Sequence, residues 1–137
     1  MEKLGMEPKT TFFLLLLTFT LVITSGCINL GGNSRYGNLT VIDEGSVLEP
    51  AFCKSKGLDA QVTVFHSLSC PACRQTVPVL EEMRDETGVK FEFIDTTKDA
   101  ERINQLGIVP GHVPAVIINC SVYVGYRTKE EFEELIL

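Results

Sequence analysis

Apolar residues along the chain fall into one long run near the N-terminus and several short runs after residue 38. The long run extends from Thr11 to Thr24, and Lys3 and Lys9 precede it. A run of 14 residues is short for a bilayer-spanning helix but fits the apolar region of a secretory signal. We therefore expect residues 1–26 to form a signal peptide or membrane leader.

The residues after the long run resemble a lipobox, in which a peptidase cuts before a cysteine whose sulfur then carries a lipid. Ser25 and Gly26 precede Cys27 in this way, whereas Thr24 departs from the leucine usual at its position. Lipidation of Cys27 is therefore the first interpretation, and an uncleaved signal anchor is the alternative. Both predict an extracytoplasmic domain anchored to the cell membrane. The glycine-rich segment 27–38 would be a flexible tether.

The short apolar runs predict one α/β domain over residues 39–137. The predicted strands are 39–42, 61–66, 90–95, 115–118 and 122–125, and the predicted helices are 47–56, 73–86, 99–106 and 128–136. A strand, a crossover helix and a second strand imply parallel pairing, whereas the closing hairpin implies antiparallel pairing. Pro110 and Gly111 predict a turn. The simplest arrangement is a mixed central β-sheet flanked by helices on both faces.

Length and charge narrow the function only slightly. The 137 residues suffice for one small domain and a leader. The formal net charge of −6 argues against a nucleic-acid partner, because no basic patch is available to neutralise phosphates. We expect no metal and no organic cofactor.

The motif Cys70-Pro71-Ala72-Cys73 carries the clearest chemistry. It follows the apolar strand 62–65 and opens a predicted helix, so the first sulfur lies at a helix N-terminus, where a thiolate is favoured. Cys70 would be the exposed nucleophile, and Cys73, one turn into the helix, would release the product by attacking the mixed disulfide. The alternatives are an inert disulfide or half of a zinc site, although a common zinc pattern requires a second such motif.

Residues 60–137 resemble the thioredoxin fold in the joint order of four features. These are the two cysteines at the start of the first long helix, Pro78 within that helix, Val113-Pro114 directly before a strand, and a hairpin followed by an amphipathic helix. The resemblance implies a redox-active Cys70–Cys73 couple and a cis bond before Pro114. The backbone of Val113 would then bind an extended substrate strand. An ordinary edge-strand proline is the alternative.

The chain also departs from the thioredoxin pattern. Thioredoxins usually carry a buried aspartate where this chain has Val64, and a tryptophan where it has Ser69. Segments 62–65 and 113–119 are also similar to glutaredoxins, but Val124-Gly125-Tyr126 replaces the glycine pair that helps them hold glutathione. Because neither a histidine nor an acid lies between the cysteines, we expect a less oxidising couple than one with a positive group there.

Two further cysteines and two histidines remain. Cys53 and Cys120 form an even pair once Cys27, Cys70 and Cys73 are assigned. A structural disulfide, two separate thiols and a second redox relay all remain open. His66 and His112 flank the motif and Pro114 in sequence, so either would favour the thiolate if protonated, unless both are solvated loop residues.

The sequence therefore predicts a monomeric, membrane-anchored thiol–disulfide oxidoreductase. Its partners would be protein thiols and disulfides or a membrane electron-transfer partner. One alternative is a glutaredoxin-like enzyme that uses a low-molecular-weight thiol. The other is a disulfide-stapled or metal-binding lipoprotein domain without enzymatic activity.

Overall fold

The computed structural model describes residues 38–137. The predicted leader 1–26, the lipobox Cys27 and almost all of the predicted tether lie outside the described residues. Within the described part of the chain, no helix is long and apolar enough to span a membrane.

In residues 38–137, six strands and four helices follow one another in the predicted order, with one strand more than predicted. The strands are β1 Thr40–Ile42, β2 Val62–His66, β3 Phe91–Asp95, β4 Ile108–Pro110, β5 Ala115–Ile118 and β6 Ser121–Val124. The helices are α1 Pro50–Ser55, α2 Pro71–Thr87, α3 Ala100–Leu106 and α4 Lys129–Ile136.

A central sheet of four strands has the order β3-β2-β5-β6. Strands β2 and β3 are parallel, and β5 pairs antiparallel with both β2 and β6. Phe65 of β2 lies opposite Ile94 on one side and Ala115 on the other. The predicted mixed sheet is therefore confirmed, and its parallel pair directs the ends of β2 and β3 to the same edge.

A second, two-stranded sheet joins β1 to β4 in parallel. The sequence predicted only a turn at Pro110 and Gly111, but Pro110 ends β4 opposite Ile42, and the chain bends at Gly111. The backbone N–H of Gly111 donates to the Ile42 carbonyl at 2.9 Å. A three-residue strand that pairs with a segment far away in sequence leaves no periodic pattern to detect.

Helices cover both faces of the central sheet, and each face has its own apolar core. Helices α2 and α4 bury Leu80, Met83 and Phe132 against the β2 and β5 face that carries Val64. The opposite face, which carries Phe65, packs against residues from β1, α1 and α3, among them Ile42. This layering fixes α2, and with it the cysteine motif, on the α4 side of the sheet.

The ends of two helices differ from the sequence prediction for local reasons. Helix α2 starts at Pro71 because Cys70 is its N-cap, and it ends at Gly88, whose φ of 69° is left-handed. Helix α1 starts only at Pro50, because the preceding segment pairs with the edge strand β6. There the Leu48 N–H donates to the Cys120 carbonyl at 2.8 Å.

Candidate active site

Cys70 occupies the N-cap of α2. Its Sγ accepts a hydrogen bond of 3.1 Å from the backbone N–H of Cys73. The Cys70 N–H in turn donates to the Ser67 carbonyl at 3.2 Å. A sulfur held at the positive end of a helix dipole and facing a backbone N–H is stabilised when it carries negative charge. Cys70 Sγ thus lies at a helix N-terminus, next to a backbone N–H.

Cys73 differs from Cys70 in exposure. Its side chain is buried, with 2% of its surface exposed, whereas Cys70 is partly accessible. Burial is the main cause that raises the pKa of Cys73 to about 11, and its hydrogen bond with Cys70 adds to the effect. Both cysteines are free thiols in this structure. At neutral pH the reduced protein therefore presents one accessible sulfur and one buried, protonated sulfur.

Val113 lies against the accessible sulfur. The Cys70 S–H donates to the Val113 carbonyl at 3.4 Å. The bond from Val113 to Pro114 is cis, and the Pro114 carbonyl accepts from the Gly125 N–H at 2.8 Å. The loop before β5 thus meets the start of α2, so residues 43 positions apart in sequence form one site.

An open groove of about 390 Å³ lies beside Cys73. Its lining is mostly apolar and consists of His66, Ser67, Leu68, Cys73, Arg74, Val77 and Pro78. Leu68 is 62% exposed, so one wall of the groove faces solvent. Cys73 lines this groove and Cys70 does not, so the two cysteines have different surroundings.

The two histidines have different positions. His112 is exposed, and its Nδ1 lies 3.2 Å from Asp43 Oδ1. His66 is half-buried at the end of β2, with its ring edge-on to Phe93 at a centroid distance of 6.4 Å. His66 lines the groove beside Cys73, and His112 does not.

Asp95 ends β3 and was not among the candidate site residues predicted from the sequence. It is buried next to His66 in the parallel register of β2 and β3. Hydrogen bonds from the hydroxyl and backbone N–H of Thr97 hold the pKa of Asp95 below its usual range. The sequence did contain a signal, since β2 and β3 both end in a polar residue. The carboxyl ends of neighbouring parallel strands meet at one edge of a sheet, which brings these two end residues together.

Val64 is completely buried within the sheet face that packs against α2 and α4. The position at which thioredoxins carry a carboxylate is thus part of an apolar core. Among the described residues, no group of three or more His, Cys, Asp or Glu side chains is placed to hold a metal ion.

Cys53 and Cys120 are joined by a disulfide, which is one of the three arrangements left open by the sequence. The bond links α1 to the turn between β5 and β6, across a sequence separation of 67 residues. Cys53 is fully buried, and Cys120 is partly accessible.

Comparison with known proteins agrees with this geometry. A sequence model described as a thioredoxin domain matches residues 60–137, more than half of the chain. A thioredoxin of Listeria monocytogenes is 32% identical over 82 residues, which cover 55% of this chain and 78% of that protein. A probable thioredoxin of Methanothermobacter thermautotrophicus is 37% identical over 78 residues, covering 55% of this chain and 89% of the relative.

Two solved structures also match this chain, at lower sequence identity. The glutaredoxin of Archaeoglobus fulgidus matches with 24% identity and a TM-score of 0.42, covering 66% of this chain and 97% of its own. The oxidised thioredoxin of Plasmodium falciparum matches with 17% identity and a TM-score of 0.43, covering 71% and 93%.

The chain belongs to the thioredoxin domain family, as its sequence match over residues 60–137 shows. It is a thiol–disulfide oxidoreductase of that family. The matched segment contains Cys70, Cys73 and Pro114, whereas β1 and α1 precede it.

Proposed function

We propose that this protein exchanges disulfides with protein thiols through Cys70 and Cys73 and does so outside the cytoplasm while anchored to the membrane. In the reductive direction, the Cys70 thiolate attacks a substrate disulfide, forms a mixed disulfide and expels one substrate thiolate. Cys73 then loses its proton and attacks Cys70 Sγ. The second substrate thiolate leaves, and a Cys70–Cys73 disulfide remains. The reverse sequence oxidises a substrate dithiol.

The position of Cys70 Sγ carries this proposal. The sulfur lies between the backbone N–H of Cys73 and the carbonyl of Val113. The Cys73 N–H stabilises negative charge on the nucleophile. The Val113 carbonyl belongs to a backbone segment that an extended substrate would meet as it approaches the sulfur. Val113 and Pro114 are therefore the proposed substrate-binding residues.

Redox titration of the full chain in detergent tests the exchange function. The protein is equilibrated in dithiol buffers and alkylated, and the masses of the Cys70–Cys73 peptide are then read. We expect one two-electron couple between about −120 and −270 mV, toward the reducing end.

Cys73→Ser should accumulate a mixed disulfide at Cys70, and Cys70→Ser should form none. A couple that resists reduction below about −300 mV would make the motif structural.

The proposed location rests on the sequence of the leader and on the disulfide. The apolar run 11–24 and the lipobox-like Cys27 support a membrane anchor. The Cys53–Cys120 disulfide supports an oxidising compartment, since stable disulfides are uncommon in the cytosol.

Membrane fractionation of Cys27→Ser tests the anchor, with Ser34→Ala in the predicted tether as the matched control. We expect the first variant to leave the membrane fraction and to lack the mass of a lipid, while the control stays bound. If Cys27→Ser stays in the membrane fraction at unchanged mass, the anchor is an uncleaved signal segment and not a lipid.

Labelling of Cys70 in intact cells by a membrane-impermeant maleimide tests the extracytoplasmic location, and protection from the reagent would contradict it.

A further inference from the structure

The buried Cys73 thiol must lose its proton when it attacks the mixed disulfide. Burial raises the pKa of Cys73 to about 11, so solvent at neutral pH deprotonates it rarely. Thioredoxins carry a buried carboxylate at the position of Val64, and here that position is fully buried and apolar. Val64 cannot accept a proton, so a general base for this step would have to be another residue.

The groove beside Cys73 provides a path to such a group. Its volume of about 390 Å³ is ample for several water molecules, because a single water needs only about 30 Å³ of liquid volume. His66 and Cys73 both line this groove. Imidazole is also the side chain that accepts and releases protons between about pH 5 and 8.

The contacts of His66 involve its backbone carbonyl and the edge of its ring. Its ring packs edge-on against Phe93, and its backbone carbonyl accepts from Thr96. Within residues 38–137, neither ring nitrogen makes a hydrogen bond to another protein group. Within these residues, His66 is thus held by its backbone hydrogen bonds and by its contact with Phe93, and its ring nitrogens take no part in holding it.

Charged groups of both signs lie near this pair. Asp95 of β3 lies opposite His66 in the sheet register, and Lys98 Nζ is 3.8 Å from the Asp95 carboxylate. On α2, Arg74 lines the groove, and Arg84 lies over the Phe93 ring at 5.8 Å. A proton transfer in the groove would therefore take place beside both acidic and basic groups.

We propose that His66 is the proton acceptor for Cys73, through solvent in the groove that both residues line. This inference rests on the proposed roles of Cys70 and Cys73. The Cys73 S–H proton passes to the neutral imidazole, and the Cys73 sulfur forms its bond to Cys70 Sγ. The bond from Cys70 to the substrate sulfur breaks, and the substrate leaves as a thiolate. The imidazolium then returns its proton to solvent or to that thiolate.

The mixed disulfide makes this transfer easier than it is in the free dithiol. Two of the causes that raise the pKa of Cys73 are its hydrogen bond and its charge interaction with Cys70. Once Cys70 Sγ is bonded to a substrate sulfur, it carries neither a proton nor a charge. The pKa of Cys73 therefore falls at the stage when the proton must leave, which brings it closer to the range of an imidazole.

Stopped-flow reaction with 5,5′-dithiobis(2-nitrobenzoate) isolates this step. The probe is used with the full chain carrying Cys27→Ser, so that Cys70 and Cys73 supply the free thiols. Attack by Cys70 releases the first equivalent of the coloured thiolate and leaves a mixed disulfide. Attack by Cys73 releases the second equivalent. The rate of the second phase between pH 5 and 9 therefore measures the resolving step alone.

We expect His66→Gln to slow the second phase at least tenfold at pH 7 and to leave the first phase unchanged, since a positioned base contributes roughly 10²-fold or more. The rise of the second-phase rate between pH 5 and 8 should disappear. Added imidazole should restore part of the rate, which a purely structural defect would not allow. His112→Gln is the matched control, because it removes the only other histidine, and it should leave both phases unchanged.

His66→Asn is a second variant in case His66→Gln fails to fold, which circular dichroism will show. An unchanged second phase in a folded variant, with both equivalents released, would overturn the role of His66 and leave the exchange function intact. Release of only one equivalent by the parent protein would overturn the resolving role of Cys73, and the proposal for His66 with it.

Discussion

The described chain consists of two regions that use their cysteines differently. Residues 60–137 match the thioredoxin domain and contain the free pair Cys70 and Cys73 at a helix N-terminus. Residues 38–59, which we call the N-terminal extension, contain β1, α1 and Cys53, which is bonded to Cys120 of the matched region. The first pair lies where exchange chemistry is favoured, and the second joins the two regions.

The N-terminal extension is attached to the loops around the active site as well as to the core. Ile42, at the end of β1, is buried with Phe65, and Asp43 then reaches His112 beside the Val113 loop. Glu44 accepts from Arg127 at 2.8 Å and from the Val124 N–H. The free thiol pair therefore lies within the region shared with thioredoxins, while the N-terminal extension contacts the edge of that region.

The largest expected effect is on the core of the matched region. Phe132 is fully buried between α4 and the sheet, so Phe132→Ala should lower the free energy of unfolding by about 3–5 kcal/mol. Chemical denaturation measures this loss. Tyr126→Ala is the control, because Tyr126 is 51% exposed and should change stability little. Equal losses in both variants would mean that α4 does not close the core.

Removal of the Cys53–Cys120 disulfide tests the junction of the two regions. Cys53→Ala with Cys120→Ala should lower the free energy of unfolding by about 2–4 kcal/mol, mainly because the unfolded chain gains conformational freedom. The rate of thiol exchange at Cys70 should stay unchanged. When enough reductant is added to open the disulfide, the free energy of unfolding of the parent protein should fall close to that of the double variant. A folded double variant without exchange activity would instead make this pair part of a redox relay.

A smaller effect is expected at the start of α4. Thr128 forms a capping box with Glu131: the Thr128 hydroxyl accepts from the Glu131 N–H at 3.3 Å, and the Glu131 carboxylate accepts from the Thr128 N–H at 2.7 Å. Thr128→Ala should cost about 0.5–2 kcal/mol of stability. Thermal unfolding measures the loss, and Thr128→Ser should retain most of the cap. A serine variant as unstable as the alanine variant would argue that packing of the methyl group, rather than capping, matters here.

The smallest effect is expected where the extension meets the active-site loop. A Cβ at Gly111 would clash with Asp43 Oδ1, so Gly111→Ala displaces that carboxylate from His112. Because the side chains of both Asp43 and His112 are largely exposed, the loss should be below about 1 kcal/mol. In an Asp43→Ala background the same substitution should cost almost nothing. A cost of several kcal/mol in both backgrounds would show that the backbone, and not this ion pair, excludes a side chain.

The sequence predicted the central elements well because each carries its own signal. The apolar strand 62–66, the amphipathic α4 and the stop at Gly88 follow from local patterning and conformational preference. The strand β4 escaped prediction because the strand with which it pairs, β1, lies more than sixty residues earlier. Similarly, nothing local distinguished His66 from His112, although only one of them lies in the groove beside Cys73.

Three features could be recognised from the residues alone: the thioredoxin-type order of elements, the motif at residues 70–73 and the apolar residue at position 64. They depend on residue identity, spacing and periodicity. Three others required the fold: the bonding of Cys53 to Cys120, the contact of Cys70 with Val113 and the position of the buried Cys73 beside His66. Each of these depends on how parallel strands, a crossover helix and a hairpin bring distant segments together, and the separation of residues along a chain does not fix their distance in space.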